Sequence, residues 1–130
     1  MKILFLGDVV GRSGRTAIIE QLGKLREDWK LDFVVVNGEN ASNGAGLTSA
    51  HAKTLLDAGA DWLELGDHSF DPQDMIQFCE AEPSSMRPIN FSKLSPGKGA
   101  KVFEASRGRK VLVAQALGQV FMKRPLDDPF

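Results

Sequence analysis

Short apolar runs alternate along the chain with longer segments whose apolar residues recur at helical spacing. "KILFL" (2–6) is a continuous apolar run of strand length, and 15–29 places Ile18, Ile19, Leu22, Leu25 and Trp29 on one helix face. "DFVVV" (32–36) is short and β-branched, and "AHAKTLLDAG" (50–59) follows as a helix that Thr48 or Ser49 could cap and Gly59 could stop. "DWLEL" (61–65) reads as a third strand, and 71–82 as a third helix with Pro72 in its first turn. Residues 84–101 have the Pro, Gly and Ser density of a loop, after which "KVFEA" and "KVLVAQAL" flank "SRGR" as a hairpin. The order β-α-β-α-β-α-β-β predicts an α/β fold, a mostly parallel sheet flanked by helices with one antiparallel element. Ile3, Phe5, Val34, Val36, Leu63 and Leu65 are expected in its adjacent strands, with the first two helices packed on the sheet.

Composition narrows the function classes. The chain has 130 residues, 42% hydrophobic and 25% charged, which suits one globular domain. Sixteen basic against seventeen acidic residues leave a formal net charge of −1, so no overall basic field draws it to a long nucleic acid or an anionic membrane. Asp8 interrupts the N-terminal apolar run before a signal or membrane span develops, and a single cysteine, Cys79, suits a buried apolar position in a reducing compartment. A cytoplasmic location is expected.

Ligands in open α/β sheets sit outside the carboxyl ends of the strands. The first three strands deliver Asp8, then Glu39 and Asn40, then Asp67 and His68 to that rim. Converging carboxylates repel and raise one another's pKa unless a cation or several donors neutralise them. Carboxylate, amide oxygen and imidazole suit Mn, Fe or Zn, and two such ions ~3.5–4 Å apart could clamp a phosphoryl group. Each residue also has a plainer role. Asp8 could cap a turn, Glu39 and Asn40 could belong to a turn at Gly38, and His68 could be a hydrogen-bonded structural imidazole. His51 is expected at the surface. Gly7, Gly11 and Gly14 are spaced GxxxGxxG, a weak signal for a phosphate cradle, and Arg12 and Arg15 are expected at a solvated helix start.

"ILFLGDVVGRSGR", "DFVVVNGENASNGAGLT", "LGDHSFD", "EPSSMRPINF" and "GQVFMKRPLDDPF" together resemble the N-terminal part of the YmdB-like family of calcineurin-type metallophosphoesterases. The resemblance runs in order over essentially the whole chain. It implies the N-terminal half of a metallophosphoesterase sandwich, and a phosphodiesterase that uses two divalent metal ions on cyclic nucleotides of the 2′,3′- or 3′,5′-cyclic AMP type. By position it implies that Asp8, Glu39, Asn40 and Asp67 are metal ligands, with Glu39 bridging, and that His68 is the general acid. Asp67 stands where the family has Asn, which keeps a ligand oxygen but adds a negative charge to a site that must receive phosphate. The family's further metal-binding histidines would follow His68, where this chain has none. The chain is therefore expected to be an incomplete half with little activity of its own, whether by truncation, by proteolysis or as a degenerate gene product. Two other readings stand beside this: a non-catalytic half-domain that self-associates, and a Rossmann-like nucleotide-binding protein, which the glycine spacing disfavours. Apolar residues of 110–122 are expected to be exposed, and a homo-oligomer to bury them.

Overall fold

The computed structural model describes residues 1–122 and 126–128. The last part of the stretch 118–130 that carries the resemblance therefore lies partly outside the described residues. The elements are β1 (Ile3–Leu6), α1 (Gly11–Trp29), β2 (Phe33–Asn37), α2 (Ser49–Asp57), β3 (Trp62–Glu64), α3 (Asp74–Ala81), β4 (Ser85–Met86), β5 (Ala100–Glu104) and β6 (Lys110–Ala114). Strands β1 to β4 form a parallel sheet in chain order, and β5 and β6 form a separate antiparallel pair.

Strand alternation sorts the side chains into two cores. Leu4, Leu6, Val34, Val36, Leu63 and Leu65 face Ile18 and Leu22 of α1, Ala52 and Leu55 of α2, and Met75, Phe78 and Cys79 of α3. All three helices thus cover one face, as right-handed crossovers between strands in sequential order require. The opposite face presents Phe33, Val35 and Trp62 to Phe103, Val111 and Val113 of the hairpin. The Trp62 and Phe103 rings meet edge to face at 4.4 Å, and Phe33 lies 5.3 Å from Phe103.

The helix boundaries follow local chemistry. The Thr48 hydroxyl accepts from the His51 N–H at the start of α2, and Gly59, at φ 113°, ends its C-terminal turn. Helix α1 begins at Gly11, a turn earlier than apolar spacing suggests, because periodicity does not register the polar first turn. Helix α3 begins at Asp74, so Pro72 lies in the bend before it, where its carbonyl accepts from the Met75 N–H.

Several expectations need correction. The stretch 84–101 contains β4, too short for a periodic signal, paired with β3. The hairpin stacks on the sheet instead of extending it. Ile19 and Trp29 are exposed, so the buried stripe of α1 runs through Ile18 and Leu22. Ile3 and Phe5 occupy β1 as expected but are 46% and 57% exposed, since they share the hairpin-side face and the hairpin covers only β2 and β3. Leu112, Val120 and Phe121 are exposed as expected of 110–122, but Val111 is buried. Cys79 is buried. Among the described residues, no helix is long and apolar enough to cross a membrane.

Candidate metal centre

The carboxyl ends of β1, β2 and β3 form one rim, and backbone bonds hold its loops together. Asp8 adopts a left-handed φ of 47°, a conformation Asp tolerates better than most residues. The chain turns sharply there, and the Val9 and Gly11 N–H groups donate to the Asn37 and Asn40 carbonyls, both at 3.1 Å. The Gly38 N–H donates to the Glu64 carbonyl at 2.9 Å, and the Asn37 side-chain oxygen accepts from the Glu39 N–H at 3.1 Å. The loop after β2 is thus fixed to its neighbours on both sides.

Glu39 then reaches across to the turn after β3. Its carboxylate lies over Gly66, where any Cβ would overlap it, and it accepts from the His68 N–H at 3.4 Å. One ligand atom each from Glu39, Asp67 and His68 lies within 4.8 Å of the others, a spacing at which the three could hold a metal ion. Burial, and next the hydrogen-bonded Asp67 carboxyl, push the Glu39 pKa up to about 7. Two acids held this close are stabilised by a positive charge between them, which a divalent cation would supply. The donor set therefore fits a metal.

Asp8 and Asn40 form a second pair on the same rim, the Asn40 amide donating to Asp8 Oδ1 at 2.6 Å. With its nitrogen so engaged, Asn40 has its carbonyl oxygen left for a cation. The structure thus brings Glu39, Asp67 and His68 together, while Asp8 joins through Asn40 and not as a third carboxylate of that cluster.

His68 is oriented from outside the cluster. Its Nδ1 lies 2.6 Å from Asp71 Oδ2, and its Nε2 lies 4.0 Å from Asp67 Oδ2. The Asp71 hydrogen bond is the main cause that raises the His68 pKa. Asp71 and Gly66 were not legible as site residues by type alone, although a carboxylate three residues after a histidine was a usable signal.

Two basic or imidazole residues differ from expectation. His51 is half-buried, with Nδ1 2.8 Å from Ser42 Oγ, and burial lowers its pKa. Arg15 leaves the solvated helix start and donates to the Ala41 carbonyl, whereas Arg12 is exposed. Arg15 therefore ties α1 to the loop that carries Glu39 and Asn40.

The chain resembles known proteins in sequence and in fold. The chain is 41% identical over 130 residues to the 2′,3′-cyclic-nucleotide 2′-phosphodiesterase of Bacillus subtilis, covering 100% of itself and 48% of that protein. It superimposes on the crystal structure of a hypothetical protein from Thermus thermophilus with a TM-score of 0.91 at 38% identity, covering 99% of this chain and 49% of the other. A crystal structure of a novel phosphatase from Mycoplasma pneumoniae gives a TM-score of 0.87 at 32% identity, covering 99% and 47%. The chain spans about half the length of the relatives it matches. The model of the YmdB-like proteins matches residues 4–130, which include every residue of the rim, and the chain belongs to that family.

Proposed function

We propose that this chain carries part of the active site of a metal-dependent cytoplasmic phosphodiesterase acting on cyclic nucleotides. The observation that carries the reading is the approach of Glu39, Asp67 and His68 at the end of parallel strands, with Glu39 pushed up to about 7. The name of the Bacillus subtilis relative favours a 2′,3′-cyclic nucleotide as substrate. Asp8, Glu39, Asn40 and Asp67 would hold the metal, with Glu39 between two sites. Two divalent ions, of Fe, Mn or Zn, would supply charge neutralisation of the phosphate and activation of water.

The chain's own residues have separable tasks. Glu39 and Asp67 contribute the negative charge that holds cations. Asn40 adds an oxygen without charge. His68 presents Nε2 toward the cluster, where it can donate a proton to a departing ribose oxygen. Further ligands could come from a segment equivalent to the rest of the relatives' length, of which the chain spans about half.

Metal binding by calorimetry tests the ligand set. Hydrolysis of 2′,3′-cyclic AMP by the chain, complemented with the remaining part of the Bacillus subtilis relative, tests the reaction. Metal-dependent hydrolysis that Glu39→Gln abolishes and His68→Ala slows, with metal content kept, is expected. Hydrolysis indifferent to chelator and to Glu39→Gln would sink the reading.

A second reading rests on a different observation. Ile3 and Phe5 lie beside Phe33 and Val35 on the hairpin-side face yet are exposed, and β1 has a free edge among the described residues. A second copy of the chain could bury them, making a homo-oligomer. Light scattering that finds a monomer at high micromolar concentration would eliminate it.

A further inference from the structure

The turn 66–71 carries a carboxylate that no metal role uses. Asp71 lies three residues after His68, its N–H donating to the His68 carbonyl at 3.2 Å while its Oδ2 meets His68 Nδ1 at 2.6 Å. The turn is fixed independently of that contact. The Ser69 N–H and hydroxyl both bond to the Gly66 carbonyl, and Gly46, which packs without a Cβ against Pro72 and the His68 carbonyl, holds its outer side.

An ionised carboxylate only accepts hydrogen bonds, so the nitrogen facing Asp71 must carry a proton. This fixes the other nitrogen. In the neutral ring Nε2 has a free lone pair, and in the charged ring it has a transferable proton. Either way Nε2 is the atom on the Asp67 side, at 4.0 Å. Without Asp71 the neutral ring would be free to carry its proton on Nε2 instead, or to turn.

We propose that Asp71 is the positioning residue of His68: it fixes the imidazole as the Nδ1–H tautomer and aims Nε2 at the acidic cluster. Its catalytic consequence rests on the phosphodiesterase reading above, whereas the tautomer does not.

The chain has only two histidines, so long-range proton–nitrogen correlation on ¹⁵N-labelled protein resolves both rings, with His51, held by Ser42 at 2.8 Å, reporting that the fold is intact. Above the titration of the ring, His68 should be the Nδ1–H tautomer in the native chain. Asp71→Ala should move it to Nε2–H, and Asp71→Asn, whose amide oxygen still accepts, should retain Nδ1–H. In the complemented preparation, Asp71→Ala should lower kcat by about 10- to 100-fold, the usual effect of losing a partner that orients a site residue, with KM nearly unchanged. Asp71→Asn should restore most of it. A native Nε2–H tautomer, an unchanged tautomer in Asp71→Ala, or an unchanged kcat alongside a changed tautomer would each overturn the proposal. If the native preparation hydrolyses no phosphodiester, the functional reading fails, and the tautomer alone decides the role of Asp71.

Discussion

The Glu39 carboxylate occupies the space in which a side chain at position 66 would begin. Gly66 is buried two residues beyond β3 and is not among the positive-φ glycines, so the absence of a Cβ, and not a left-handed backbone, is what the position requires. Gly66→Ala should push Glu39 off the rim and weaken manganese binding at least about tenfold, the scale of damage expected when a ligand loses its support. Calorimetry on the folded variant checks this, and unchanged affinity would mean that Glu39 is no ligand.

The pairing of Glu39 with Asp67 carries a pH dependence. With the Glu39 pKa raised to about 7, protons compete with a cation below that value, so metal affinity should climb as pH rises through about 7. Asp67→Asn removes one of the causes of that rise, so the climb should move to lower pH. It also removes a negative charge, so KM for an anionic phosphodiester should fall. An unshifted pH profile in the variant would contradict the coupling.

Asp32 sits far from the rim and joins the start of β2 to the hairpin turn. It accepts from the Ser106 hydroxyl, the Lys2 N–H at 2.6 Å and Arg109 at 2.7 Å, and the Ser106 bond is the chief cause of a pKa lowered from 3.8 to about 2. A depressed folded-state value stabilises the protein above the unfolded value and loses that effect as pH falls through the folded one. Asp32→Asn should therefore be less stable at neutral pH, with the difference closing between roughly pH 4 and pH 2. Denaturant midpoints across that range measure it.

Phe103 is the hairpin residue that touches both Phe33 and Trp62. Phe103→Ala should cost roughly 2–4 kcal/mol, at or just below the range for a fully buried phenylalanine, because the ring is only partly covered. Chemical denaturation should show that loss, and Trp62 fluorescence should shift to longer wavelength as water reaches the indole.

What could be read from the residues was set by how local the information was. The parallel strands followed from β-branched runs, and α2 from a capping threonine and a glycine stop, all contained within a few residues. Asp8, Glu39, Asn40, Asp67 and His68 were placed on one rim by topology. Their subdivision into an Asp8–Asn40 pair and a Glu39–Asp67–His68 group was not legible, because it depends on side-chain directions around Gly66. The strand β4 was missed because two residues have no period. Ile3 and Phe5 look like core by type, and only the limited width of the hairpin leaves them exposed. His51 was misplaced because its partner, Ser42, lies in a loop nine residues away.

Sequential strand order has a consequence for assembly. Each neighbour in the parallel sheet is also the next strand along the chain, so the helix-backed layer closes short loops and can form early. Docking the hairpin is different, since the contact between Asp32 and Ser106 spans 74 residues and must meet a larger closure entropy. The rim that carries Glu39 and Asp67 belongs wholly to the early layer. During synthesis it would take shape while the second face of the sheet is still bare, so Phe33, Val35 and Trp62 form the surface most exposed to mispairing before residue 103 arrives.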